Sequence, residues 1–399
     1  MTADLLKLLL TPELREFIKR HEHDDEKELI LKQSTIHGVP SSLVAEQIVG
    51  RRKAKNKLPS YYGNDEIIYS PRVNLEQCSS EATAEFKAGL VQGKKFADLT
   101  GGFGIDTFSL AKKFDHGTYV DPNNHLLNIA KHNHDILGDG NIAYFNTAAE
   151  NFLETSGDQF DLIFIDPSRR ADSNKKVFKL SACVPNVIDL WWRIFEHTPL
   201  LLLKTSPLLD LQQGLKELKF VEKIFVVSVD NECKEVLFLC RKDFEGEPTV
   251  EAINIIKSDR IDSFSFLLSQ ENIAEITNAD PLHYLYEPNA SILKAGAFKS
   301  IGLENNLFKL HPSTHFYTSD LLLKNFPGRV FEIEAFIKPD PKIMLHHFPD
   351  GRGNVTTRNY PLTPEQLKKK TGLKEGGEKF LIGFSGVDKK FLVVAQRLR

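Results

Sequence analysis

Apolar positions in this chain of 399 residues first follow helical spacing, then alternate between strand-length and helix-length runs. Residues 1–66 read as a helical domain. Leu5, Leu6, Leu8 and Leu9 start one helix, and Thr11-Pro12-Glu13 opens a second in the cap-then-proline manner. A third runs from Ser41 or Ser42 to about Lys57 and ends in the basic run Arg51-Arg52-Lys53-Ala54-Lys55-Asn56-Lys57. Cations there suit a helix C-terminus or a phosphate, and the pattern leaves both readings open.

From 67 to 242 the pattern predicts an α/β domain built on a parallel sheet. A helix from Ser79-Ser80-Glu81 to Leu90 leads to strands at 95–99, 117–120, 142–145, 160–165 and 199–205. Helices at 104–114, 123–137, 148–153, about 180–196 and 208–217 fill the intervals. Two closing runs, Lys223–Ser228 and Glu235–Cys240, are only six residues apart, with Asp230-Asn231 as a turn signal. That is hairpin spacing rather than crossover spacing. Five parallel strands therefore end in an antiparallel pair. Residues 243–327 form a small α+β domain, in which Tyr284–Ala290 is strand and turn and Ser291–Phe298 a short helix. Residues 328–399 form a last α+β unit, with strands at 330–337, 343–348, 379–384 and 390–396. Thr363-Pro364-Glu365 opens its helix.

Charge changes this picture at one end. The whole chain carries −3, but residues 328–399 hold 14 Lys+Arg against 8 Asp+Glu. A basic terminal module implies a polyanionic partner or a solvated lysine-rich face. Cys78, Cys183, Cys233 and Cys240 are scattered, without CxxC or a Cys/His cluster, so neither zinc nor a disulfide framework is expected. No apolar run approaches the roughly 20 residues that span a bilayer. The N-terminus lacks the pattern of a signal peptide, and a cytoplasmic location is expected.

The chemistry concentrates at strand ends. Phe96-Ala97-Asp98-Leu99-Thr100-Gly101-Gly102-Phe103-Gly104-Ile105-Asp106-Thr107 is an apolar strand, an acidic residue and a glycine turn leading into a helix. A dinucleotide fingerprint needs a third glycine where Thr107 stands. An anionic pyrophosphate is also repelled by Asp98, whereas a cationic amino-acid group or a ribose is not. The turn therefore fits S-adenosylmethionine better than NAD. Asp121-Pro122 ends the second strand, where a carboxylate can accept both hydroxyls of a ribose or cap the next helix. After the third strand, Ala148 stands where an acidic residue often meets adenine, leaving Asn146 or Glu150 to substitute. Asp166-Pro167-Ser168-Arg169-Arg170 closes the fourth strand. Its proline holds Asp166 in extended geometry, and its arginines suit phosphate, base edges or a carboxylate.

Asp98-Leu99-Thr100-Gly101-Gly102-Phe103-Gly104, Asp121 and Asp166-Pro167-Ser168-Arg169 resemble the motifs of class I S-adenosylmethionine-dependent methyltransferases. Glu76-Gln77-Cys78-Ser79-Ser80-Glu81 is similar to the leading motif of their RNA-modifying members, among them the trimethylguanosine synthase group. Thr357-Arg358-Asn359-Tyr360-Pro361-Leu362 and Gly376-Gly377-Glu378-Lys379-Phe380-Leu381 look like a THUMP-like domain, and Tyr284 to Phe298 resembles the ferredoxin-like insert that accompanies it. The resemblance implies a seven-stranded Rossmann-like methyltransferase sheet. It implies cofactor contacts from Asp98, Thr100, Gly101, Gly102, Phe103, Gly104, Asp106, Asp121, Pro122 and Glu150, and an acceptor pocket lined by Asp166, Pro167, Ser168 and Arg169.

Departures bear on the acceptor. Base N-methyltransferases often read Asp/Asn-Pro-Pro-aromatic, whereas Ser168 and Arg169 fill the last two places here. Carbon methylation needs a cysteine nucleophile, and Cys183 has no recognisable context. For ribose methylation, Asp166 and Lys204 at adjacent strand ends supply part of the usual lysine and acid set. The expectation is a methyltransferase acting on structured RNA, tRNA or rRNA, with no metal and no membrane partner. A methyltransferase for a small molecule or protein, and a non-catalytic RNA-binding protein with a vestigial cofactor fold, are the alternatives.

Overall fold

The computed structural model describes residues 3–138, 141–169, 179–256 and 260–399. They form two compact units, Met1–Glu222 with Val236–Gly246, and Lys223–Glu235 with Glu247–Arg399.

The first unit begins with helices α1 (Ala3–Leu9), α2 (Pro12–Arg20) and α3 (Glu26–Lys32). A two-residue ladder, β1 (Thr35–Ile36) with β2 (Val39–Pro40), precedes α4 (Ser41–Lys57). Then come α5 (Pro59–Tyr62), α6 (Arg72–Gln77) and α7 (Glu81–Gly89), the last capped by the Ser80 hydroxyl. The sequence pattern predicts α1, α2, α4 and α7 but not α3, α5 or α6. Helix α3 buries only Leu29, which leaves no apolar stripe to read, and is started instead by the Asp25 side chain. Leu14, Ile48 and Tyr61 of these helices, and Leu58 between α4 and α5, share one core with Phe103, Ile105 and Ile129. Burying each such leucine or isoleucine contributes about 1.5–3 kcal/mol, so the helices clamp the glycine turn.

The basic end of α4 is committed inside this unit. Arg51 pairs with Glu22 and Asp65, Arg52 with Glu26, and Lys53 with Glu76. Lys57 donates to the carbonyl oxygens of Leu75 and Glu76. These cations tie helices together, which favours the structural reading of the run.

The sheet of the first unit is built from β3 (Gly93–Asp98), β4 (Phe114–Val120), β5 (Ile142–Phe145), β6 (Leu162–Ile165) and β9 (Leu200–Thr205). All five are parallel, in the order β5-β4-β3-β6-β9. Helices α8 (Ile105–Ala111), α9 (Asn124–Leu137), α10 (Ala149–Thr155), α11 (Val187–His197) and α12 (Leu211–Glu217) connect or follow them. A short ladder joins β7 (Ser168–Arg169) to β8 (Cys183–Val184). The helix expected over 180–196 is therefore shorter. Pro185 pushes Val184 into extended geometry, and the Asn186 side chain caps a helix that starts only at Val187. The order reverses at β3, whose neighbours are β4 and β6. A crevice at such a switch point is where open α/β sheets bind ligands.

Next come β10 (Val221–Val229) and β11 (Glu232–Arg241), neighbours joined through left-handed Asp230 and Asn231. The hairpin expected from the sequence is present. Its tip, Lys223–Glu235, belongs to the second unit, while the rest of β11 pairs antiparallel with β9 in the first.

In the second unit β10 pairs parallel with β12 (Thr249–Ile256), and β12 antiparallel with β13 (Arg260–Leu267). Helix α13 (Leu268–Ile273) follows. A seven-stranded sheet takes β14 (Tyr284–Pro288), β15 (Phe308–His311), β16 (Thr314–Ser319), β17 (Gly328–Phe336), β18 (Asn354–Arg358), β19 (Lys379–Ser385) and β20 (Lys390–Arg397) in the order β15-β16-β14-β17-β20-β19-β18. Residues 343–348, expected as a strand, lie in helix α16 (Pro341–His347) and its C-cap. Asp340 caps it and Pro341 occupies its first turn, a start signal that outweighs the strand-like Ile-Met-Leu composition. Helix α17 (Pro364–Thr371) opens with a complete capping box at Thr363 and Gln366. No helix among the described residues is long and apolar enough to cross a membrane.

Candidate active site

The glycine turn is shaped by what surrounds it. Gly104 has φ 84°, and a Cβ there would come within 2.6 Å of His134 Nε2. Gly101 has no room either, because its Cβ would overlap the Tyr119 ring. Tyr119 Oη donates to the Gly102 carbonyl at 2.7 Å. Burial lowers His134 to about 4, so the ring is neutral. Its Nε2 lies 2.9 Å from the Gly104 carbonyl and its Nδ1 2.8 Å from Tyr144 Oη. The turn is thereby fixed from both sides.

A cavity of about 320 Å³ opens above this turn. Its wall contains Asp98, Thr100, Gly101, Gly102, Phe103, Gly104, Asp106, Asp121, Pro122, Glu150, Asp166 and Ser168, all singled out from the sequence. Phe103 also sends its ring into the core, 5.8 Å from the Tyr61 ring. Pro167 is buried beside the cavity. The backbone of Arg169 pairs with Cys183, but its side chain lies outside the described residues, as does all of Arg170. Asn146 donates to the Asp121 carbonyl at 3.0 Å and so braces the strand end. Ala148 is in the wall.

Asp98 is almost fully buried. Its Oδ2 accepts from the Thr107 hydroxyl at 2.6 Å, and Oδ1 from the Thr100 amide at 2.9 Å. Burial raises its pKa to about 7 despite these bonds. Thr107, where a dinucleotide site needs glycine, thus has a use of its own. Asp121 accepts from the Gly102 amide at 2.8 Å and the Asn123 amide at 2.7 Å, and burial raises it too. Each of its oxygens keeps a lone pair for a ligand hydroxyl.

Asp106 behaves in the opposite way. Burial alone would raise it, but the Lys87 and Lys204 ammoniums and the Ser79 hydroxyl hold it below the usual carboxylate range. Lys87 lies 3.1 Å away with its side chain 1% exposed, and Ser79 donates at 2.7 Å. Lys204, at the end of β9, is 3.8 Å from Asp106 and also pairs with Asp166. The Asp166 amide donates to Thr100 Oγ1 at 2.7 Å, which ties the end of β6 to the glycine turn. Lys87 was missed by sequence reasoning, because a lysine inside a short helix looks solvated. The buried side of α7 holds Thr83, Ala84, Lys87 and Ala88, and that placement is its signal.

The wall therefore carries an excess of carboxylates, with two buried lysines neutralising only Asp106 and Asp166. An acidic pocket with backbone held close by glycine suits a ligand that is cationic at one end and bears sugar hydroxyls. It does not suit a pyrophosphate. Among the described residues no cluster of three His, Cys, Asp or Glu could hold a metal ion.

Comparisons agree with this architecture. Over 99% of its length the chain superposes on 98% of a crystal structure from Porphyromonas gingivalis W83 described as a "putative methyltransferase", at TM-score 0.85 and 29% identity. An rRNA methylase from Streptococcus thermophilus aligns over 40% of this chain and 94% of its own, at TM-score 0.30 and 15% identity. TrmK from M. capricolum, solved with S-adenosylhomocysteine, aligns over 40% of this chain and 68% of its own, at 0.32 and 14%. No curated protein matches the chain. Residues 284–327 match the model of a ferredoxin-like domain, and residues 328–397 that of a THUMP-like domain. The chain thus has a class I methyltransferase fold, followed by a ferredoxin-like and a THUMP-like domain.

Proposed function

We propose that this chain is an S-adenosylmethionine-dependent methyltransferase that modifies a nucleotide of structured RNA, tRNA or rRNA. One observation carries the enzyme reading. Buried Asp98, braced Asp121 and lysine-paired Asp166 stand at three neighbouring strand ends around one acidic cavity. Asp98 would hold the ammonium of the cofactor, Asp121 its ribose hydroxyls, and Glu150 its adenine end. Bound there, the cofactor would supply a methyl group already activated on a sulfonium. The protein's work is then mainly alignment. Asp166, held by Lys204, would orient the acceptor or take its proton, and Ser168 and Arg169 would line the acceptor's path. The THUMP-like domain and the basic charge of residues 328–399 support RNA as the substrate class.

Calorimetry with S-adenosylmethionine tests the first half. Binding by the wild type and its weakening in Asp98→Ala are expected, and no binding by the wild type would sink the enzyme reading. Nucleoside mass spectrometry on RNA from a deletion strain and its parent tests the second. One methylated nucleoside should be missing, and an unchanged profile would point to a small-molecule or protein acceptor.

A further inference from the structure

A second cavity, of about 350 Å³, lies within the second unit. Four arginines line it, namely Arg260, Arg329, Arg397 and Arg399. The topology gathers them from separate elements. Arg260 opens β13, Arg329 lies at the start of β17, and Arg397 closes β20.

Two carboxylates hold the arginines in place. Asp262, with its side chain 9% exposed, meets Arg399 at 2.6 Å and Arg260 at 3.4 Å. Glu287, 3% exposed, meets Arg358 at 2.6 Å and also pairs with Arg329. Arg397 Nε donates to the main-chain oxygen of Arg399 at 2.7 Å. The wall itself holds four guanidiniums and the side-chain carboxylates of Asp230 and Asp262.

The guanidiniums also keep donors in reserve. Each has five N–H groups, and one bond to a carboxylate uses only part of that fork. Arg399 Nε is buried without a hydrogen-bond partner among the described residues. Burial, and then the Arg329 cation, lower the pKa of Arg397, as expected where like charges are crowded. An oxyanion entering the cavity would relieve both conditions.

We propose that this arginine-lined cavity binds a phosphate group of the RNA backbone, a contact that positions the substrate without reading its sequence. This rests on the RNA reading above. The test is filter binding of the full chain to bulk tRNA and to rRNA across a salt series. Arg260→Gln/Arg397→Gln removes two exposed cations from the site. Lys27→Gln/Lys216→Gln removes the same charge from exposed positions of α3 and α12. The arginine double variant should bind about tenfold more weakly at low salt, and its slope of log affinity against log salt should fall by about one to two. The lysine control should keep the wild-type slope, and S-adenosylmethionine binding should be equal in all three. A slope equal to wild type in the arginine variant, or an equal fall in the control, overturns the site. If inorganic phosphate binding is lost in the arginine variant while RNA affinity is unchanged, the cavity serves a free oxyanion and the RNA contact is overturned. If the wild type binds no RNA, the RNA reading falls first.

Discussion

The two cavities, of about 320 and 350 Å³, are similar in size and opposite in charge. In the first, carboxylates dominate and two lysines support them. In the second, arginines dominate and two carboxylates support them. In both, the minority charge is deeply buried, as Lys87 at 1% and Glu287 at 3% show. The comparison teaches a division of labour. The minority charge holds the geometry, and the majority meets the ligand.

The largest expected effect tests the minority side. Lys87→Met leaves Asp106 buried without its nearest cation and should cost about 3–5 kcal/mol of stability in urea unfolding. Adding Asp106→Asn should recover much of that loss, and a cost of Lys87→Met below about 1 kcal/mol would break the comparison. Lys204→Gln acts at the acceptor end. Methyl transfer to total RNA from the deletion strain should fall about a hundredfold, with S-adenosylmethionine affinity little changed; an equal loss of both would make Lys204 a cofactor residue instead.

On the majority side, Asp98→Ala should weaken cofactor binding about 10- to 100-fold, the worth of a bond to a charged group, without unfolding the protein. The pH dependence is smaller and has a definite sign. An ammonium ligand needs the Asp98 carboxylate, whose pKa in the folded, ligand-free protein is about 7. Affinity measured by calorimetry should therefore level off above pH 7 and fall by up to about tenfold per pH unit below it. Stability runs the other way. The folded state keeps a proton on Asp98 that an unfolded carboxyl releases near pH 4, so this group's contribution falls as pH rises from about 4 to 7. Asp98→Asn should remove that slope, and stabilise the ligand-free protein at pH 8 by on the order of 1–3 kcal/mol. A pH-independent difference between the two proteins would show that burial of the charge is not the cause.

Much of the first cavity is legible in the sequence. Asp98, Asp121 and Asp166 each end an apolar run, and glycine or proline follows within three residues, so their place at strand ends follows from local pattern alone. Lys204 was placed beside Asp166 from the same pattern, and the two do pair. Lys87 is not legible in this way, because it sits in α7 and only tertiary packing brings it to Asp106. The basic run of α4 shows the reverse problem. It looks available to a phosphate until Glu22, Glu26, Asp65 and Glu76 are found beside it. The arginine cavity was invisible for both reasons, because its residues are spread over more than 160 positions, Asp230 to Arg399.

The hairpin carries a practical consequence for anyone who would divide this protein. The boundary between the units runs through it, since Lys223–Glu235 belongs with the C-terminal part of the chain. There β10 pairs with β12 over seven residues, from Lys223↔Thr249 to Val229↔Ile255. A fragment cut after Gly246 would keep β10 and lose that partner. It would present a row of unmet amides and carbonyls on Ile224-Phe225-Val226-Val227, an apolar edge of the kind that recruits other chains into aggregates.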